Sequence, residues 1–274
     1  MYINCKARLI DLSTPKVMGI LNITPDSFYD GGYREKLEDH LLQAEKMLKE
    51  GADFIDVGAY SSRPGATDIS EAEELQRILP VVEALVKKFP ELIISVDTFR
   101  SEVARQCVEA GAAMINDISA GNLDKTMMET VARLQVPYIM MHMRGNPKTM
   151  KTLNQYEDLT RDVLFYFSKK IDRAREMGIN DLIIDPGFGF SKNIAQNFEL
   201  LSHLELFKNL NLPLLCGLSR KSLIYKTFNT TPEEALNGTT VLNTISLMKG
   251  ANILRVHDVK EAAECVKLVQ RLRN

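Results

Sequence analysis

Eight times along the chain an apolar run begins just after a residue that stops helices. In four places a helical stretch closes on glycine before the run: EGADFIDVG, AGAAMINDI, MGINDLIIDPG and KGANILRVH, with Gly51, Gly111, Gly178 and Gly250 at the junctions. Glycine is favoured there because a helix C-cap adopts a left-handed backbone that penalises a Cβ. In the other four the run is opened by proline: TPKVMGILN, FPELIISVD, VPYIMMH and LPLLCGLS, from Pro15, Pro90, Pro137 and Pro213. Proline cannot continue a helix but is tolerated at the first residue of a strand. Interleaved, the starts fall at 15, 51, 90, 111, 137, 178, 213 and 250, and each interval has room for one helix and its turns.

The intervals carry helical periodicity. Leu37, Leu41, Ala44 and Leu48 are spaced 4, 3 and 4 apart, and Val103, Ala104, Cys107 and Val108 form one apolar stripe. The runs themselves are continuous in Val, Ile, Leu and Met, as suits a parallel sheet covered by helices rather than a half-exposed antiparallel one. Strand–helix units repeated eight times in 274 residues predict a single (β/α)8 barrel domain over residues 1–274. A doubly wound open sheet is the alternative. No linker or low-complexity tract divides the chain, and Met1 to Leu12 is expected to form a short hairpin over the bottom of the barrel.

Composition narrows the function classes. A net charge of −2 gives no general basic field, so neither a polynucleotide nor a membrane is an expected partner, and any anion must be met by a local site. The cysteines at 5, 107, 216 and 265 lie far apart, with no CxxC pair and no histidine at zinc-ligand spacing. They read as reduced thiols. With no secretory leader and no apolar run of 18 residues, a cytoplasmic protein is expected.

If these are barrel strands, their C-terminal ends form the active face. In order they deliver Asn22, Gly58, Asp97, Asn116 with Asp117, His142, Asp185, Ser219 to Lys221, and Arg255 with His257. Each Asp or Asn could simply cap the next helix, Asp97 before Thr98 being one such case. Separate caps, however, predict no excess of carboxylate, amide and cation on a common rim. Asp97, Asn116 and Asp185 suit a planar heterocycle whose ring N–H and amino groups need partners. Arg63, Arg255 and His257 supply cations, and an arginine fork fits phosphate oxygens, which suggests a pyrophosphate. PGFGF at 186–190 lacks both GxGxxG and GxxxxGK[ST] and is expected to be a tight turn presenting Phe188 and Phe190. His40 and His203 read as surface or half-buried side chains, and His142 as a rim histidine that holds backbone.

With these residues in view, the chain resembles the dihydropteroate synthases along essentially its whole length. The segments that carry the resemblance are GILNITPDSFYDGG, SRPGA, SVDTFR, INDISAG, MHMRGNPKTM, DPGFGFSKN, GLSRKS and RVHDV. The family is a TIM barrel, usually a homodimer and the target of sulfonamides. It joins 6-hydroxymethyl-7,8-dihydropterin pyrophosphate to p-aminobenzoate. By matching motif, the resemblance implies a pterin site of Asp97, Asn116, Asp185 and Lys221, with Met140 or Met141 on the ring. It implies Asn22 as a Mg2+ ligand, and Asn22, Ser62, Arg63, Arg255 and His257 around the pyrophosphate. The p-aminobenzoate pocket would comprise Phe28, Pro64, Phe190, Ser219, Lys221 and Ser222. Asn22, Asp30, Arg63, Lys221, Arg255 and His257 would carry catalysis.

One departure stands out: where the family usually reads GGESTRPG, this chain reads GAYSSRPG, with Ala59 for a Gly, Tyr60 for a Glu and Ser62 for a Thr. The loop after Asn22, with Thr24-Pro25-Asp26 and Asp30-Gly31-Gly32 turns, is expected to fold over the pyrophosphate and Mg2+, bringing Asp30 to the developing cation and Phe28 to p-aminobenzoate. The expected chemistry is a dissociative substitution at the exocyclic carbon, stabilised by electrostatics and positioning rather than by a covalent intermediate. The competing readings are a methyltetrahydrofolate-type methyltransferase and a noncatalytic pterin-binding barrel.

Overall fold

The computed structural model describes residues 1–23, 33–61 and 68–273. A hairpin of β1 (Tyr2–Cys5) and β2 (Arg8–Asp11) precedes β3 (Lys16–Asn22), α1 (Tyr33–Glu50), β4 (Phe54–Gly58), α2 (Glu71–Lys88), β5 (Ile93–Asp97), α3 (Ser101–Glu109), β6 (Met114–Asp117), α4 (Met127–Leu134) and β7 (Tyr138–Met141). Then follow α5 (Leu159–Glu176), β8 (Leu182–Asp185), α6 (Ile194–Ser202), β9 (Leu215–Cys216), the single turn α7 (Ser222–Tyr225), α8 (Leu236–Met248), β10 (Ile253–Val256) and α9 (Val259–Arg273).

The parallel sheet runs β8-β7-β6-β5-β4-β3-β10-β9, and a parallel bridge between Ile184 and Leu214 joins its two ends. Neighbours in the ring are neighbours in the chain. The open-sheet alternative is therefore excluded, because it requires strand order to reverse at a switch point. All eight expected strands are present, and the four C-cap glycines take φ of 104°, 120°, 84° and 108° in chain order. Other ends use side chains: Ser70 Oγ accepts from Glu73 N at 3.1 Å to start α2, and Asn193 with Gln196 forms a reciprocal capping box on α6.

Strand alternation sorts the core into two regions. Side chains such as Val17, Ile55, Val96, Ile115, Met140 and Ile184 join the main cluster with the helices. Met18, Phe54, Ile93, Met114, Ile139, Ile183, Leu215 and Ile253 instead fill the lower barrel, where Ile3, Cys5 and Leu12 of the N-terminal segment pack onto them from below. The expected hairpin thus seals the barrel's bottom with apolar volume. Two residues further along β4, β5, β6, β8 and β10, the same pleat brings Asp56, Ser95, Asn116, Asp185 and Arg255 to the next inward level, so that part of the interior turns polar within one layer.

Candidate active site

The centre of that polar layer is Asp56, fully buried in β4, whose Oδ2 accepts from Arg255 Nε at 2.6 Å and from Asn116 Nδ2 at 2.8 Å. Arg255 Nη2 also donates to Asp97 Oδ2 at 2.6 Å. Strands β4, β5, β6 and β10 are tied together by one guanidinium, two carboxylates and an amide. Burial pushes the Asp97 carboxyl up, with Arg255 opposing and the Asp56 charge adding to the rise. Asp56 Oδ1 and Ser95 Oγ, on residues paired in register, are buried and unpartnered among the described residues. Asp56 is absent from the residues expected from sequence, which were read from strand ends. Its signal is a carboxylate in the middle of FIDVG, a strand buried at every position.

Across the mouth, Asp185 ends β8 at 5% exposure, and its Oδ1 accepts from Gly187 N at 2.8 Å. Burial raises its carboxyl, and the nearby Lys221 ammonium counters that. Lys221 donates to the Phe188 carbonyl, and its Nζ stands 5.0 Å from the centroid of the Phe190 ring. Gly189 makes room for this side chain, because a Cβ there would meet Cδ at 3.2 Å, whereas a Cβ at 217 would stand in ordinary contact, 3.7 Å from Nζ. Burial lowers Lys221 from 10.5 to about 8, against the pull of Asp185. Between these values the unfolded chain binds more protons than the folded one, so this lysine's destabilisation is full below about pH 8 and fades toward 10.5. Denaturant titrations from pH 7 to 10 are expected to show the stability of wild type relative to Lys221→Met improving over that window. A constant difference would mean that Lys221 is as readily protonated when folded as when unfolded.

Met141, not Met140, faces the mouth. The pleat places Met140 under the helices, while Met141 joins Ile118, Met143 and Met150, with Phe99 and Phe190 packed alongside. The site therefore pairs an apolar shelf with a polar edge of Asp185, Asn116 and Lys221, as a flat polar heterocycle requires. Phe188 corrects a second expectation: it is fully buried in the main cluster, and only Phe190 is half-exposed on the turn.

Other rim residues separate into two groups. Ser219 Oγ is 3.0 Å from His257 Nδ1 and accepts from His257 N at 3.1 Å, linking the ends of β9 and β10. Ser222 is half-buried at the start of α7, and Asn22 is exposed at the end of β3, paired in register with Gly58. Arg220 is turned aside: its Nε and Nη2 grip Asp258 at 2.9 and 2.7 Å. Asp117 is an internal cap, its oxygens accepting from Ser119 N and Oγ, Gly121 N and Tyr138 OH. Asp117 thus closes the turn after β6 rather than capping the next helix, whose N-cap is Thr126, and Asp97 caps no helix either. Lys192, also absent from the expected set, is buried beside His142, whose N donates to the Asp185 carbonyl at 2.9 Å. Thr24, Pro25, Asp26, Phe28, Asp30, Gly31, Gly32, Ser62, Arg63 and Pro64 lie outside the described residues. Among the described residues, no group of three or more His, Cys, Asp or Glu side chains is arranged to hold a metal ion.

A family model described as pterin binding enzyme matches residues 18–257. The chain is 48% identical over 263 residues to the dihydropteroate synthase of Escherichia coli (strain K12), covering 95% of this chain and 93% of that one. Its fold superposes with a TM-score of 0.93 on the Yersinia pestis dihydropteroate synthase solved with a sulfonamide drug complex, at 44% identity and covering 100% of this chain and 99% of that one. The Xanthomonas albilineans dihydropteroate synthase solved with 4-aminobenzoic acid gives 0.91 at 40% identity, covering 99% of this chain and 98% of that one.

Proposed function

The chain belongs to the pterin-binding enzymes, and on that premise we propose that its barrel mouth joins a dihydropterin to an arylamine as the dihydropteroate synthases do. The reaction condenses 6-hydroxymethyl-7,8-dihydropterin pyrophosphate with p-aminobenzoate to 7,8-dihydropteroate and pyrophosphate, a step of folate synthesis, and sulfonamides compete for it as p-aminobenzoate mimics. The observation that carries the reading is the apolar shelf of Met141 and Phe190 beside the polar edge of Asp185, Asn116 and Lys221.

In this reading the Asp185 carboxylate accepts from the N–H and amino groups of the pyrimidine edge, and Asn116, fixed by Asp56, offers its carbonyl oxygen to the same ring. Met141 covers one face of the ring. His257, oriented by Ser219, together with Ser62 and Arg63 of the loop after β4, receives the pyrophosphate. Arg255 acts differently from expectation. Two of its nitrogens are taken by Asp56 and Asp97, so it shapes the mouth from below more than it binds phosphate.

The bond from the exocyclic carbon to the pyrophosphate oxygen breaks first, the ring delocalising the positive charge. The neutral arylamine nitrogen then forms the new C–N bond, and its proton leaves to pyrophosphate or water. No strong base is required, because an arylamine is uncharged near pH 7. Catalysis is positioning plus fixed charge, with Asp30 facing the developing cation. Phe190, Ser219, Lys221 and Ser222, with Phe28 and Pro64, form the p-aminobenzoate pocket.

Asn22 offers one hard amide oxygen from an exposed strand end, a donor that fits Mg2+, which relies on few protein ligands and completes its shell with water and substrate phosphates. When bound there, the ion would neutralise charge on the leaving pyrophosphate. A homodimer and a cytoplasmic location belong to the same proposal. Val241 and Met248 on α8, with Leu268 and Leu272 on α9, are exposed apolar side chains suited to a second copy, and a light-scattering mass of one chain would overturn that part. The four cysteines are unpaired and buried, as suits a reducing compartment, and no helix among the described residues is long and apolar enough to cross a membrane.

Incubation with the dihydropterin pyrophosphate, p-aminobenzoate and Mg2+ is expected to yield dihydropteroate by mass spectrometry, with the yield falling when Mg2+ is chelated. Folded protein that forms no product would instead support the noncatalytic barrel, and methyl transfer from a methylated folate would support the rival enzyme.

A further inference from the structure

The turn after β8 is built around a cation that the reaction does not use. Residues 185–192, DPGFGFSK, leave the strand, reverse and lead into α6. Lys192 closes the reversal. Its ammonium lies 3.0 Å from each of three acceptors: the carbonyls of Gly187 and Phe190, and His142 Nδ1. Three protons meet three acceptors, so the group is saturated and holds nothing in reserve for a substrate. With Lys192 protonated, Nδ1 is the acceptor and His142 carries its ring proton on Nε2; the ring stands edge-on to Tyr166 with centroids 4.8 Å apart.

Burying an ammonium is unfavourable, and burial lowers Lys192 to about 7 against the pull of Asp185. Water could have satisfied two loop carbonyls. What the lysine adds is a fixed point inside the turn, and each carbonyl it holds belongs to a residue of the site. Gly187 donates its N–H to Asp185 Oδ1, and Phe190 carries the ring beside Lys221. A further bond, Gly189 N to Asn197 Oδ1 at 2.6 Å, ties the turn to α6.

We propose that Lys192, gripped by His142 and the carbonyls of Gly187 and Phe190, is a positioning residue that sets the spacing between the Asp185 carboxylate and the Phe190 ring before either substrate arrives. It acts mainly through Phe190, whose carbonyl it holds directly and whose N–H donates at 3.1 Å to the same Gly187 carbonyl that Lys192 grips, whereas Asp185 is also held by the β8 ladder and the Gly187 N–H. The inference rests on Phe190 lining the p-aminobenzoate pocket.

The test is steady-state kinetics with both substrates varied, on Lys192→Met, His142→Leu, His142→Gln and Phe190→Ala. Lys192→Met and His142→Leu are expected to raise KM for p-aminobenzoate about tenfold while kcat and dihydropterin affinity change less than about threefold. His142→Gln, whose amide oxygen can still accept from the ammonium, is expected to stay within about threefold of wild type on all counts. Equal losses toward both substrates, or His142→Gln behaving like His142→Leu, would reduce Lys192 to general support of the fold and overturn the proposal. Phe190→Ala separates the two ideas. If it leaves KM for p-aminobenzoate unchanged, the pocket itself is misplaced; if it raises KM while the Lys192 and His142 variants do not, only the positioning role fails. Should Lys192→Met not fold, the two His142 variants decide the matter.

Discussion

Arg255→Ala is expected to destabilise the folded protein by about 3–5 kcal/mol, the range for removing one partner of a buried ion pair. The loss is large because the substitution strands Asp56, which is fully buried, and also takes the cation from Asp97. Asn116 loses order with them, since its amide leans on the same Asp56 oxygen. Urea unfolding at pH 7 measures the deficit, which is expected to shrink in acid. Burial already raises Asp97, and removing Arg255 raises it further, so the folded state holds its proton more tightly than the unfolded chain and gains stability as pH falls through that range. Ring binding and pyrophosphate binding are expected to weaken together. A stability within about 1 kcal/mol of wild type, or a loss confined to pyrophosphate with ring binding intact, would return Arg255 to the role of a simple anion ligand.

Asp185→Asn is expected to do the reverse, sparing the fold and weakening the ligand. The amide oxygen can keep the bond from Gly187 N, and the variant removes a charge whose burial opposes ionisation, so stability should stay within about 1 kcal/mol of wild type. Dihydropterin affinity should fall by about 2–4 kcal/mol, because one acceptor oxygen becomes a donor facing the donors of the pyrimidine edge. Calorimetric titration with the dihydropterin reads this directly. Near wild-type affinity would show that Asp185 does not bind the ring.

The contrast between these two residues shows what a linear sequence discloses. The barrel was legible because its signals are local: a glycine or proline at each junction, and a run of apolar residues after it. Strand ends were legible for the same reason, and they led directly to Asp97, Asn116, Asp185 and the residues after β9 and β10. Partnership was not legible. Arg255 looks like an anion ligand until β4 and β5 bring Asp56 and Asp97 against it, contacts that span 199 and 158 residues of chain. Lys192 is hidden in a different way, since nothing in FSKN says that the side chain turns back beneath its own loop. Met140 and Met141 are separated by register, since Met141 pairs with Asp185 and turns into the mouth with it while Met140 turns toward the helices. Asp56 was within reach, as a carboxylate in a strand too apolar to tolerate it without a partner.

The hairpin beneath the barrel also completes a division of labour. Ile3, Cys5 and Leu12 pack against Met18, Phe54, Ile93 and Met114, which fill the lower barrel with their neighbours, so that end is solid apolar volume and the polar layer is reached from the C-terminal rim of the strands. Under the proposed reaction, a heterocycle on buried Asp185 sits deeper than an arylamine against half-exposed Phe190, and the expected order of binding is dihydropterin before p-aminobenzoate.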